Sequence, residues 1–354
     1  MCLLGRVALL ALLLPPSSVL AAEGTHPLQG TETVRARWLM GTVLELRLPA
    51  GTPDAGALAE AAFAEVSRVE AAASLWKPGT ELAEVHARAA AGEAVVLSET
   101  LGDLVREALD AADLTGGAFT PAVGALVTSY DLRGAGRWPS DAERIRSAAL
   151  ARPEGVRFDA PSRTLRLDPG VTLDLDGIAK GFALDRAAAV LRARGVEDAL
   201  LNFGGQILAI GPPAGAPARE ALVGSPFDPG STVLSVRIRD MSLSTSANCE
   251  RLRLVAGKEA GHLLDPRTGD LVRFSGSVSV LAPSGALADA LSTAWAVEGP
   301  AGFHRSDPGS RLRRAGFVGF VLAGGDGGPE TVTDRPFERL RPPACVADAD
   351  IRRP

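Results

Sequence analysis

Apolar and polar residues begin to alternate regularly at RWLMGTVLELRL, and this period of two predicts a strand over 38–48. The period then changes. Leu58, Ala61, Ala62, Val66 and Val69 recur at helical spacing behind Asp54, which predicts a helix to residue 73 with Asp54 as its cap. A second helix is expected over 100–114, stopped by Gly116 and Gly117. Residues 130–153 are rich in Gly, Pro and Arg around one short helical stretch, and short strands follow at 156–158, 164–167 and 171–175. The last of these, VTLDL, leads into Asp176-Gly177, a helix over 178–194, a stop at Gly195 and the strand ALLNF closing on Gly204-Gly205.

Further strands are expected at 207–210, 232–238, 242–245, 252–255, 276–281 and 317–322, with a helix over 285–297. Helices and strands do not alternate strictly and no fixed repeat is visible. The pattern predicts an α+β fold in which helices pack on mixed or antiparallel sheets. At the start, Arg6 precedes a short apolar run over 7–14, then Pro15, Pro16 and small residues. This reads as a secretory signal over 1–21, followed by a polar linker over 22–35. The run falls short of the ~20 residues that span a bilayer, so no stable membrane span is expected after cleavage. The expected location is the periplasm or cell envelope. Residues 36–325 form the expected catalytic domain, and 326–354 a Pro- and Arg-rich peripheral tail.

Composition narrows the function. With 46% hydrophobic residues among 354, the chain can bury a full core. A net charge of -5, from 37 basic and 42 acidic residues without long runs, gives no footprint for nucleic acid. The 4 histidines are too dispersed for a paired-histidine zinc site. Cys249 and Cys345 would share an oxidising compartment, where a bridge is permitted and nothing indicates one. GxSxG and GxxxxGK[ST] are absent.

Candidate chemistry gathers in three places. In LDLDGIAKGFALD, Asp174 and Asp176 arrive at a helix start beside exposed amides and Lys180, a cradle suited to phosphate and a hard cation. The same pattern also describes a helix cap and a solvated strand end. In SGALADALSTAWAV, Asp289 and Thr293 share one helix face and could reach one cation, or form a buried polar pair. In GHLLDPRTG, His262 sits beside a Pro-containing turn, either at a site mouth or simply packed.

Taken in order, LMGTVLEL, SLWKPGTELAEVHA, GGAFTPAVGAL, LDLDGIAKGFALDRAAAVLRARGVEDALLNFGG, SLSTSANCER, GHLLDPRTG and VSVLAPSGALADALSTAWAV resemble the ApbE family, the FAD:protein FMN transferases. The resemblance implies a single T-fold-like catalytic domain. It also implies that Met40, Trp76, Ala118, Phe119, Asp174, Lys180 and Leu264 contact FAD, with Thr120 alongside. Gly177 would offer a backbone carbonyl to Mg2+, Asp289 and Thr293 would supply side-chain ligands, and Ser292 lies at their edge. His262 falls where the family has a histidine that assists the acceptor hydroxyl, and Asp174 is the other candidate base. The implied reaction moves FMN from FAD to a Thr or Ser hydroxyl of an acceptor flavoprotein subunit of a membrane redox complex, releasing AMP.

The chain departs from the family pattern at several positions. GAFD becomes GAFT at Thr120, and NAGGD becomes NFGGQ with Phe203 and Gln206. Asp176 takes a position often filled by a small residue, where its charge could act near the metal, and Trp76 replaces a common tyrosine. Two other functions fit the same residues: hydrolysis of FAD to FMN and AMP, and flavin binding by an envelope protein without turnover.

Overall fold

The computed structural model describes residues 32–212, 215–226, 232–247, 253–255, 258–272, 276–305, 318–323 and 330–333. The expected signal, most of the linker, Cys249, Cys345 and most of the tail lie outside these residues. The chain opens with β1 (Glu32–Leu39) and β2 (Thr42–Pro49), then α1 (Ala55–Ala73), α2 (Glu81–Ala90), β3 (Val95–Val96) and α3 (Glu99–Leu114). After a 3-10 turn at Pro121–Val123 come α4 (Gly124–Ser129), α5 (Asp141–Leu150), β4 (Val156–Asp159) and β5 (Thr164–Leu167). The second half contains α6 (Ala179–Ala193), β6 (Ala199–Phe203), β7 (Gln206–Ile210), β8 (Arg219–Gly224), β9 (Thr232–Ile238) and β10 (Ser242–Ala247). It ends with β11 (Arg253–Val255), β12 (Lys258–Ala260), β13 (Gly276–Ala282), α7 (Gly285–Arg305), β14 (Val318–Ala323) and β15 (Glu330–Thr333).

Eight strands form one sheet in the order β1-β2-β6-β7-β10-β13-β14-β15, and every pairing is antiparallel. The α+β reading therefore holds. Side chains of β6 and β7 alternate between two cores. Leu201, Phe203, Leu208 and Ile210 face the helical layer, where α1 and α6 pack, while Leu200, Ile207 and Ala209 meet Ala221, Val223, Val236 and Ile238 of the β8–β9 hairpin. Burial on both faces explains the unbroken apolar runs of these strands. Val278, Val280 and Ala282 of β13 pack against Ala288, Leu291 and Trp295 of α7.

Several local expectations change. The strand expected over 38–48 is a hairpin, because Met40 (φ 46) and Gly41 (φ 75) turn the chain between Leu39 and Thr42. β1 also begins at Glu32, inside the stretch read as linker, and β15 adds an edge strand within the expected tail. VTLDL joins no ladder. Its backbone instead bonds across the fold: Gly124 N donates to Thr172 O, Leu173 N to His86 Nε2, and Asp174 N to Pro121 O. Asp54 precedes α1 in a left-handed conformation with no side-chain cap bond. Among the described residues, no helix is long and apolar enough to cross a membrane.

Candidate functional site

The site is built where the starts of α6 and α7 meet. Gly181 and Gly285 bring the two backbones into contact, so closely that a Cβ at Gly181 would lie 2.0 Å from Gly285 O. No side chain fits there. Asp185 of α6 accepts from Gly285 N at 2.7 Å and Ala286 N at 2.9 Å, capping α7 from the neighbouring helix. Burial pushes the Asp185 carboxyl up to about 6, against the pull of the two amides it accepts from. Gln206 of β7 donates to Gly285 O at 2.9 Å, and its buried Oε1 has no partner among the described residues.

This junction places Asp289 one turn inside α7 and buries it to 4% exposure. Its Oδ2 accepts from Gly181 N at 3.1 Å and lies 3.6 Å from Lys180 Nζ. Ser244 and Ser246 project from β10 toward the same face of α7, since alternate strand residues share a side. Ser244 Oγ lies 3.4 Å from Asp289 Oδ1, Ser246 Oγ bonds Ser292 Oγ at 2.8 Å, and Thr293 Oγ1 lies 3.5 Å from Ser246 Oγ. A Cβ built on Gly177 would come within 3.4 Å of Thr293 Oγ1 and 3.3 Å of Phe119 Cε2. Gly177, Thr293 and Phe119 therefore converge.

A second cluster flanks the first. The buried Asp174 carboxylate is paired with Arg133 through Oδ2 and accepts from Asp176 N at 3.0 Å through Oδ1. Burial and the neighbouring Asp176 charge push Asp174 up to about 6, and Arg133 opposes them. Asp176 accepts from Trp76 Nε1 at 2.9 Å, and the Arg133 guanidinium lies over the same indole. Met40 sits on the β1–β2 turn, where its N–H donates to Glu70 at 3.0 Å, and Lys77 pairs with Glu70 at 2.8 Å.

The sequence-predicted residues thus form two adjoining groups. Gly177, Lys180, Asp289, Ser292 and Thr293 share the α6–α7 junction with Phe119, while Asp174 joins Trp76. Ala118 and Thr120 are buried on either side of Phe119, and Thr120 Oγ1 accepts from Ala122 N at 3.2 Å to start the 3-10 turn. Leu264 packs with Leu126, Tyr130 and Ala151, and His262 lies half-buried in the segment between β12 and Leu264. Sequence reasoning missed Arg133, His86, Asp185, Ser244 and Ser246. Only the two serines had a local signal, the alternation in SLSTSA.

The donor set suits a magnesium-like ion: one carboxylate, one hydroxyl and one carbonyl are hard oxygen ligands, and such an ion takes its remaining contacts from water and phosphate. Gly177 approaches Thr293 and Phe119 closely enough that even a methyl group there would press on the Phe119 ring at 3.3 Å. Among the described residues, no three or more His, Cys, Asp or Glu side chains gather in a way that could hold a metal ion.

Comparison with known proteins identifies the family. The model of the ApbE family matches residues 40–306. The chain is 36% identical to an FAD:protein FMN transferase of Rhodobacter capsulatus over 275 residues, covering 74% of this chain and 50% of the relative. It is 33% identical to an FAD:protein FMN transferase of Treponema pallidum, covering 76% and 79% of the two chains. The crystal structure of the ApbE protein of Thermotoga maritima superposes with a TM-score of 0.78 at 27% identity, covering 87% of this chain and 99% of that one. The chain spans half the length of its Rhodobacter relative.

Proposed function

Because the chain belongs to the ApbE family, we propose that it transfers FMN from FAD to a Thr or Ser hydroxyl of a target flavoprotein, with Mg2+ as its metal and AMP as the other product. The observation that carries this reading is the convergence of Asp289, Thr293 and Gly177 beside Lys180 and the first amides of α6. Asp289 and Thr293 side chains and the Gly177 carbonyl would hold the ion, with Ser292 bracing it. When bound, Mg2+ would neutralise diphosphate charge and make the phosphorus more electrophilic. Lys180 and the α6 amides hold the remaining anionic oxygens. Ala118, Phe119, Thr120, Met40, Trp76 and Leu264 would hold the organic part of FAD.

In the transfer, the acceptor oxygen bonds to the FMN-side phosphorus while the bond to the bridging oxygen breaks, and AMP leaves with that electron pair. The hydroxyl proton goes to His262. Asp174 is the alternative base, but its two oxygens are already committed to Arg133 and the Asp176 amide. In keeping with the expected signal, the acceptor is placed in the periplasm or cell envelope, as a subunit of a membrane redox complex.

The test is mass spectrometry of an acceptor protein incubated with FAD, Mg2+ and this chain. An added FMN on a Thr or Ser is expected. AMP released equally without acceptor would instead identify an FAD hydrolase, and FAD binding without either product a flavin-binding protein. Asp289→Asn keeps the shape and an acceptor for Gly181 N, so its turnover should fall by at least about 100-fold while the fold survives. Unchanged turnover would remove Asp289 from the reaction.

A further inference from the structure

Two departures from the family pattern, at positions 76 and 176, meet in space. Trp76 follows α1 and Asp176 precedes α6, yet the indole Nε1 donates to Asp176 Oδ2 at 2.9 Å. An indole nitrogen only donates and a carboxylate only accepts, so the bond selects one orientation of the ring. Trp76 is 57% exposed and would otherwise exchange rotamers. Arg133 lies over the ring at 6.0 Å from its centroid, anchored by its pair with buried Asp174. A cation thus meets the indole while more than half of the side chain stays accessible to a ligand.

Resting on the transferase reading above, we infer that Asp176 is a positioning residue that acts through Trp76, holding the indole as a fixed stacking platform for a planar heteroaromatic ring of the dinucleotide. Binding normally costs the rotamer freedom of an exposed side chain, and the tether removes that freedom in advance. Stacking on the indole is alike in ground and transition states, so the effect falls on KM and not on kcat. This role works through the bond that Asp176 Oδ2 accepts from the indole, so unlike electrostatic support of the metal it needs an acceptor and not a charge.

The test combines transfer kinetics at varied FAD with calorimetric titration of FAD, FMN and AMP. Asp176→Ala should raise the FAD KM about fivefold with kcat held, the change expected for one lost hydrogen bond. Asp176→Asn still accepts the indole N–H, so its KM should stay within about twofold of the parent. In a Trp76→Phe background, Asp176→Ala should add nothing further. Equal losses in the Asn and Ala variants, or an Asp176→Ala effect that persists with Phe at position 76, would overturn the inference in favour of a charge effect. FMN or AMP, whichever loses affinity in Trp76→Phe, identifies the stacked ring, and loss in neither overturns it. A parent protein that binds FAD and transfers no FMN removes the transferase reading alone, and the affinity pattern then decides the inference. A parent that binds no FAD removes both.

Discussion

His86 accepts the Leu173 N–H at 2.9 Å through Nε2, which requires a neutral imidazole. Burial, joined by the nearby Arg133 charge, lowers its pKa to about 4. The unfolded chain therefore takes up a proton near pH 6.5 that the folded chain refuses until about pH 4. The contribution of His86 to stability is complete above 6.5 and is lost as pH falls through that window, by at most about 1.4 kcal/mol per unit. Asp174 and Asp185 are shifted upward and act in the opposite sense, so the readout must be a difference. Urea unfolding at pH 7 and pH 5 should show the parent losing its advantage over His86→Ala at the lower pH. At pH 7 that variant should be less stable by about 1–3 kcal/mol, the cost of an unpaired Leu173 amide. The other site residues differ in how far the sequence exposed them. Asp289 and Thr293 were legible because helical spacing alone puts them on one face, whereas Arg133 and His86 reach the Asp174 segment across 41 and 87 positions that no local pattern encodes.

Among the elements, the α6–α7 crossing carries the strictest constraint. Gly181→Ala would drive a Cβ into Gly285 O, 2.0 Å away, and prise apart the two helix starts. A loss of more than about 2 kcal/mol is expected, together with weaker FAD binding. Gly56 of α1 offers the control, since a Cβ there meets nothing within 4 Å, and Gly56→Ala should stabilise by up to about 1 kcal/mol. Thermal unfolding of both variants checks the contrast. Helix boundaries were largely readable, with α1, α3, α6 and α7 starting within a residue or so of expectation. α2 was not foreseen, because only Leu82 and Val85 of its residues are buried and its apolar stripe is correspondingly thin. VTLDL has the composition of a strand, but its bonding partners belong to the 3-10 turn, to Gly124 and to His86. The β1–β2 turn escaped notice because Met40 takes a positive φ that its residue type does not announce.

Across the whole molecule, the antiparallel sheet sets the order of stability. β6 and β7 are covered on both faces, by the helical layer and by the β8–β9 hairpin. Their amides should exchange with solvent more slowly than those of β1, whose outer residues are exposed, as hydrogen-exchange mass spectrometry can establish. Faster exchange in β6 than in β1 would mean that the sheet opens from its centre. The order of these strands was the part of the fold least visible in the sequence, since β10 lies between β7 and β13 through contacts that only the assembled sheet creates.

The meeting of two helix starts at Gly181 and Gly285 also fixes a local charge sum. Each start is worth about half a positive elementary charge, and Lys180 adds one more. Asp185 and Asp289 cancel these almost completely, so the helix junction by itself brings almost no net charge to an incoming diphosphate. In the proposed reaction the missing compensation amounts to two positive charges, which a divalent ion held by Asp289, Thr293 and the Gly177 carbonyl would supply.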